Sequence, residues 1–387
     1  MTHPKYGRPV WAEVDLGALQ QNLFAIRAFL GGKSEIMAVV KAEAYGHGPV
    51  EVAQQLQNDG VQLFGVASLD EAIVLRENGI TGEILILGYT PAVLYEDLRH
   101  FRIQQSIISE EMLAAFMEKA AALGPIPVHA KIDTGMGRLG VRAEDAPAFL
   151  SSLFESFGEN VKGVFTHFAV ADRNAEDSRH QLRRFHQVIA PFAQRFHSLL
   201  RHAANSAGTV TLRDSWLDCV RPGLLLYGVS PIANTAPPFP LRPVLRVKAR
   251  IVQVKSIRSG ESVGYGHRFR AERDSRVAIL PIGYGDGYPR ALSERAHVRI
   301  RGKHAPIIGN MSMDFSIVDI TDIPGVKPED EVLILGDSIT AWSLAEPINS
   351  IPYEILCGLG KRIPRVCLPA PAEDPAKSTT AAPARKT

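Results

Sequence analysis

From residue 36 onward, short apolar runs of β-forming residues alternate with stretches of helical periodicity. The apolar runs lie at 36–40, 63–67, 83–87, 103–107, 128–132, 161–166, 201–204 and 217–221. Short, nearly continuous apolar runs suit strands that are buried on both faces. Between them, Ser68 with Glu71 three residues later reads as a capping box that opens one helix. Residues 110–123 carry a second helix, and 178–199 a long amphipathic one. Upstream, 10–14 predicts one more strand. Asp15 then caps a helix with Leu16, Leu19, Leu23, Ile26 and Phe29 or Leu30 at helical spacing. Eight strands with intervening helices predict an α/β fold, a (β/α)8 TIM-type barrel, with a doubly wound sheet as the alternative.

The texture changes at Ala236-Pro237-Pro238-Phe239-Pro240, which reads as a linker. Beyond it helical periodicity is scarce. Short β-type runs at 245–254, 276–281, 298–300, 315–319 and 331–335 are separated by glycine-rich turns. The expected plan is therefore a barrel over 1–236, including its short N-terminal strand, and a mostly β C-terminal domain over 237–367. A tail over 368–387, rich in Pro, Ala, Ser, Thr and charge, is expected to be disordered.

Composition narrows the class. A chain of 387 residues with 45% apolar and 22% charged positions suits two soluble globular domains. The formal charge of +2, without a basic patch interleaved with aromatics, argues against nucleic acid as a partner. Cys219, Cys357 and Cys367 are too widely spaced for a metal pair or a disulfide framework, which suits a reducing cytoplasm. The first ten residues lack the apolar core of a signal peptide, and no apolar run is long enough to span a membrane.

In an α/β barrel, chemistry collects at the C-terminal ends of the strands. Lys41 follows the first strand, Asp133-Thr134-Gly135-Met136-Gly137-Arg138-Leu139-Gly140 the fifth and His167 the sixth. Asn205-Ser206 follows the seventh and Arg221-Pro222-Gly223 the eighth. A lysine at the end of a buried strand is desolvated, which lowers its pKa and lets its amine form a Schiff base with an aldehyde. The plainer reading is a lysine snorkelling out of a strand end. His167 reads equally as a satisfied strand-end histidine, and Tyr265 and Tyr284 as glycine-flanked turn residues. Gly135, Gly137 and Gly140 match a dinucleotide fingerprint by pattern alone, in the wrong context, and are expected to let backbone approach a ligand. Ser206 and Gly223 stand where barrels often hold a phosphate. A Schiff-base lysine with a phosphate site fits pyridoxal phosphate, and it fits a Schiff-base aldolase barrel equally well.

Val40-Lys41-Ala42 with Tyr45-Gly46-His47-Gly48 resembles the cofactor-lysine signature of the alanine racemases, fold-type III pyridoxal phosphate enzymes. The run from Lys131 to Gly140 resembles a second signature of that family. His202-Ala203-Ala204-Asn205-Ser206-Ala207, Arg221-Pro222-Gly223, Tyr265-Gly266 and Gly283-Tyr284-Gly285-Asp286-Gly287 resemble others, in the expected order from about Pro9 to Cys367. The resemblance implies pyridoxal 5'-phosphate bound to Lys41, with Lys41 as one catalytic base and Tyr265 as the base on the opposite face. It implies Arg221 at the pyridine nitrogen and His167 between Arg221 and Tyr265. Tyr45, Ser206, Tyr353 and the backbone at Gly223 and Leu224 would hold the phosphate. Arg138 and the backbone at Met313, with Asp314 beside it, would place the substrate carboxylate. Lys131 matches a position that is carbamylated in many members. Ser312 stands where many members carry cysteine.

The activity so implied is interconversion of L- and D-alanine by two bases, supplying D-alanine for peptidoglycan, in a cytoplasmic homodimer with shared active sites. A racemase for serine or a wider range of amino acids is the alternative within the fold. A non-catalytic pyridoxal phosphate carrier is the alternative outside it, and the β domain with Tyr265 argues against that. Arginine gives up a proton reluctantly, so Arg221 would leave the ring nitrogen unprotonated and disfavour transamination. A barrel decarboxylase would be expected to place a carboxylate there.

Overall fold

The computed structural model describes residues 7–195 and 199–370. Asp15 caps the helix Leu16–Leu30 as expected, accepting the Ala18 N–H at 2.8 Å, and Leu19, Leu23, Ile26 and Leu30 are buried along one stripe. The eight predicted apolar runs each form a strand: β2 (Glu35–Val39), β3 (Leu63–Val66), β4 (Glu83–Ile86), β5 (Gln104–Ile107), β6 (Val128–Asp133), β8 (Val161–Phe165), β9 (Leu200–Asn205) and β10 (Cys219–Arg221), with a two-residue β7 (Val141–Arg142) beside β6. All pair in parallel. β10 returns to β2 and β5 meets β6, which closes the barrel and excludes the doubly wound sheet.

The N-terminal strand is a correction to the domain plan. β1 (Val10–Asp15) does not join the barrel. It lies between β11 (Leu245–Arg250) and β20 (Arg365–Leu368), antiparallel to the first and parallel to the second. A closed eight-stranded barrel has no free edge, so an additional strand must find its hydrogen bonds elsewhere. It finds them in a six-stranded sheet, where β20 and β1 are followed by β11, β19 (Glu331–Leu335), β16 (His297–Ile300) and β17 (Lys303–Pro306). The run expected at 245–254 breaks near Ile251 into β11 and β12 (Gln253–Ile257). β12 forms a second sheet with β15 (Ser275–Leu280) and β18 (Ser316–Asp319), and β13 (Ser262–Val263) pairs with β14 (Phe269–Arg270).

Two short helices, Ala341–Ala345 and Pro352–Gly358, interrupt the otherwise β-rich domain. The second lies against the start of the barrel. A Cβ on Gly46 would fall 2.2 Å from the Leu356 carbonyl oxygen, so only glycine admits that approach. The long helix expected over 178–199 runs Ala175–Ile189 and tightens to a 3-10 turn at Ala190–Arg195; residues 196–198 lie outside the described residues. The expected disordered tail lies outside them from residue 371.

Candidate active site

Lys41 stands two residues beyond the end of β2, at the C-terminal rim. The four residues after it, Ala42 to Tyr45, all adopt left-handed backbone, with φ between 52° and 57°. A left-handed turn of non-glycine residues costs about 1–2 kcal/mol per residue, so the surroundings must hold it. Glu71 accepts the Ala42 N–H at 2.7 Å and the Ala67 N–H at 2.7 Å. The second half of the capping box is thus diverted: Ser68 still accepts from Glu71 N, but the glutamate ties β3 to the lysine turn. His47 sets Nδ1 2.9 Å from the carbonyls of both Ala44 and Tyr45. Arg365 reaches across from β20 to the Gly46 carbonyl at 3.0 Å.

The turn delivers Tyr45 to a cradle on the opposite wall. A Cβ on Gly223 would lie 2.3 Å from the Tyr45 hydroxyl, and the Tyr45 ring rests against Tyr227 and Tyr353 at 4.9 and 5.8 Å. Ser206 Oγ accepts from the Gly223 and Leu225 amides at 2.9 and 3.4 Å. Leu224, fully buried, completes this wall. Tyr353 comes from the helix Pro352–Gly358, so the C-terminal domain furnishes part of its own chain's cradle. Burial raises the pKa of Tyr45, and pushes that of Tyr353 up to about 12, so both phenols stay protonated donors.

Arg221 ends β10 and is buried. Its Nη2 donates to the carbonyls of Thr166 (2.8 Å) and Ala203 (3.0 Å) and to His167 Nδ1 (3.1 Å), and its Nη1 to His202 Nδ1 (2.9 Å). Burial, then the charge of Arg221, holds His167 well below its ordinary pKa, so it is neutral. Its Nδ1 accepts from the arginine, and its proton is therefore on Nε2.

Four cations, Lys41, Lys131, Arg138 and Arg221, face this rim, and among the described residues none forms a salt bridge. Burial and then Arg138 lower the Lys41 pKa. Burial, then Arg221, Arg138 and Lys41, brings Lys131 down to about 7. Its Nζ sits 5.2 Å from the Phe165 ring centre. A cationic bowl without paired carboxylates, a lysine with a depressed pKa and a wall of hydroxyls and amides suit an anionic aldehyde ligand.

In the loop bearing Arg138, Asp133 Oδ1 accepts from the amides of Gly135, Met136 and Gly137 at 2.9, 2.9 and 3.2 Å. The glycines at positive φ let the chain wrap that carboxylate, and a Cβ on Gly140 would meet Asp133 N at 2.8 Å. Arg138 projects from this loop, exposed.

Tyr265 and Met313 are not in this bowl. Tyr265 is 72% exposed and Met313 52% exposed, on the face of the β domain. Among the described residues no hydrogen bond joins the Tyr265 side chain to Lys41, His167 or Arg221. Their own surroundings are well built. Asn310 donates to the Tyr265 carbonyl at 2.8 Å. Ser312 closes a turn with Phe315, accepting its N–H at 2.9 Å and donating to its carbonyl at 3.0 Å, which gives that serine a structural part. Asp286, fully buried, binds Arg8 at 2.7 Å and the Gly283 amide at 3.0 Å, and Gly285 N donates to the Met313 carbonyl at 2.9 Å. Tyr265, Asn310, Ser312 and Phe315 border an open pocket of about 710 Å³.

Sequence reasoning gave Glu71 only a capping role and assigned none to Thr166 or His202, nor to Tyr227, whose hydroxyl donates to the Val39 carbonyl at 3.0 Å. His202 stood inside a quoted motif; Thr166 and Tyr227 carry no local signal.

Two family models match the chain: "Alanine racemase, N-terminal domain" over residues 14–231 and "Alanine racemase, C-terminal domain" over 244–367. Alanine racemase of Desulfovibrio desulfuricans is 41% identical over 367 residues, covering 93% of this chain and 98% of that protein. Alanine racemase of Halothermothrix orenii is 39% identical, covering 92% and 96%. Among solved structures, alanine racemase of Clostridium difficile superposes with a TM-score of 0.89 at 34% identity, covering 94% of this chain and 97% of the other. That of Streptomyces coelicolor gives 0.88 at 34% identity, covering 93% and 98%.

Proposed function

The chain belongs to the alanine racemase family, pyridoxal phosphate-dependent isomerases, and on that premise we propose that it interconverts L- and D-alanine with pyridoxal 5'-phosphate carried on Lys41. The observation that carries this reading is the cationic bowl around Lys41, which has no carboxylate paired to any of its four cations among the described residues. An aldehyde for the amine, a phosphate for the Tyr45–Ser206–Gly223 cradle and an acceptor nitrogen for Arg221 would satisfy those groups together.

When bound, the cofactor supplies an electron sink that acidifies the Cα–H of an attached amino acid. The rest is the work of the chain. Lys41, its pKa lowered by burial, gives up its proton more readily than an exposed lysine and can take or return one at one face of Cα. Tyr265 Oη is assigned the opposite face. Arg221 can only donate, so it leaves the ring nitrogen unprotonated and limits how long charge rests there. Tyr45, Tyr353, Ser206 and the amides of Gly223 and Leu224 hold the phosphate. Arg138 and the Met313 amide take the substrate carboxylate, and His167 stands beside Arg221.

Two bases in one reaction, on surfaces that share no hydrogen bond within the chain, support a site shared between two copies. Tyr265, Tyr284, Met313 and Phe315 are large apolar side chains left exposed on one domain, as at an interface. We place the second base at the partner's bowl, in a homodimer of two-fold symmetry. Lys131 is assigned as a carbamylation site. At a pKa of about 7 its amine is substantially neutral, the form that attacks carbon dioxide, and a carbamate would turn repulsion from Arg138 into attraction. The product is assigned to peptidoglycan synthesis in the cytoplasm; among the described residues no helix is long and apolar enough to cross a membrane.

The test is incubation with L-alanine and chiral chromatography for D-alanine, repeated over a panel of amino acids. D-Alanine appearing first and fastest supports the reading. Faster turnover of serine, or even rates across the panel, replaces alanine by the broader substrate class. No inversion of any amino acid removes the racemase assignment.

A further inference from the structure

A row of polar side chains runs through the barrel core, from the C-terminal rim to the N-terminal rim. Arg221 Nη1 lies 2.9 Å from His202 Nδ1. His202 Nε2 lies 3.0 Å from His129 Nδ1, and His129 Nε2 lies 2.9 Å from Gln104 Oε1. Gln104 Nε2 donates to Glu83 Oε2 at 2.8 Å. Arg221 is the last residue of β10, His202 the third of β9, His129 the second of β6, and Gln104 and Glu83 the first of β5 and β4. All but Glu83 are buried. Gly163 makes room for the His129 ring, since a Cβ there would lie 2.4 Å from Nδ1.

We infer that this row is a one-way hydrogen-bond chain, with both histidines neutral and protonated on Nε2, and that His202, His129 and Gln104 are positioning residues that aim the Arg221 guanidinium. The direction follows by elimination. A guanidinium only donates, so His202 Nδ1 must accept and its proton is on Nε2. His129 Nδ1 must then accept, and its proton is on Nε2, facing an acceptor. The glutamine therefore turns its oxygen to His129 and its amide nitrogen to the Glu83 carboxylate. Reversing any one link sets two donors face to face at the next link toward Arg221. Adding a proton to either ring does the same.

The surroundings agree. Burial and then Arg221 bring His129 down to about 3 and hold His202 well below its ordinary pKa. Lys131 is a further cation acting on His202, and the Phe165 ring stacks on His202 at 4.6 Å. Buried Arg221 has no carboxylate of its own among the described residues; the chain carries its polarity to the one at Glu83. Carbonyls hold Nη2 and the chain holds Nη1, so together they fix the plane of the guanidinium. The N–H groups left over are then aimed without freedom to rotate.

The positioning role rests on the reading of Arg221 as a cofactor contact; the protonation pattern does not. Neutron diffraction from deuterated crystals of the enzyme with its cofactor tests the pattern. Deuterium on Nε2 of His129 and His202, and on neither Nδ1, is the expected result. Deuterium on either Nδ1 overturns the chain. The role is tested by Gln104→Met, which removes the acceptor from His129. We expect kcat to fall about tenfold, the loss of one hydrogen bond to a charged network, with a displaced visible absorbance of the bound cofactor. Gln104→Glu, which keeps an oxygen before His129 and can share one proton with Glu83 through the other, should recover most of the rate and the native absorbance. A native rate and absorbance in Gln104→Met, or no recovery in Gln104→Glu, overturns the positioning role. Absence of any visible absorbance in the native protein counts against the cofactor reading instead, and the diffraction result still decides the chain.

Discussion

The barrel rim and the face of the β domain each carry half of the proposed chemistry, and they are built in opposite ways. The barrel half is buried and cationic, with Arg221 held by carbonyls and imidazoles and Lys41 held by a strained left-handed turn. The β half presents Tyr265, Tyr284, Met313 and Phe315 to solvent, on loops stiffened by Asp286, Ser312 and Asn310. Burial depresses the pKa of an amine and makes it a usable base. Exposure leaves a tyrosine free to enter another surface. The first half reads as a finished binding site and the second as a finished probe without a socket.

The comparison fails at once if either half is dispensable. Lys41→Ala and Tyr265→Ala should each cut kcat for alanine about a thousandfold or more, the scale of losing a positioned acid–base group. Only Lys41→Ala should also lose covalent attachment of the cofactor, seen by mass spectrometry after borohydride reduction. Near-native rates in either variant would remove that residue from the mechanism.

Complementation asks whether the two halves meet between chains. After subunit exchange between the two inactive variants, half the dimers are mixed, and each mixed dimer rebuilds one of its two sites. Activity should return to about a quarter of native, by two-fold counting. Mixed dimers that form and stay inactive would put both bases in one chain.

One glycine in each half sharpens the contrast. Gly223→Ala drives a methyl to 2.3 Å from the Tyr45 hydroxyl, and Gly283→Ala drives one to 2.2 Å from the Ser312 carbonyl. Overpacking of this kind costs roughly 1–3 kcal/mol. The first variant should lose about tenfold or more in cofactor affinity. The second should leave cofactor affinity near native and raise KM for alanine, because it displaces the loop that carries Met313. Equal effects on both constants would erase the distinction.

The smallest effect concerns Lys131. Unfolded, it holds its proton up to about pH 10.5; folded, it releases it near 7. Between those values the unfolded chain binds more protons, so raising pH favours folding. In bicarbonate-free buffer, Lys131→Met should melt a few degrees (~2–4 °C) above the native chain at pH 7, and this advantage should shrink toward pH 10. An advantage that grows with pH would reverse the assignment.

Much of this molecule was legible before folding. The eight barrel runs and the cap at Asp15 are local patterns, and each forms as expected. So is the gathering of Lys41, His167, Ser206 and Arg221 at strand ends, since chain order alone puts them on one rim. Their motifs also sufficed to name the family.

What lay beyond the sequence depends on distant partners. Nothing in Val10–Asp15 says that it will leave the barrel, because a strand's address depends on which edges remain open. Gly46 and Gly48 mark a turn, yet the left-handed run through Ala42–Tyr45 is braced from elsewhere, by Glu71 at its start and Arg365 just past its end. The chain from Arg221 to Glu83 joins five strands, and each member alone is an ordinary polar residue in an apolar run. Periodicity and motif are written in neighbouring residues and survive in the unfolded chain. Desolvation, tautomer and the direction of a hydrogen bond belong to atoms that meet only after the barrel closes.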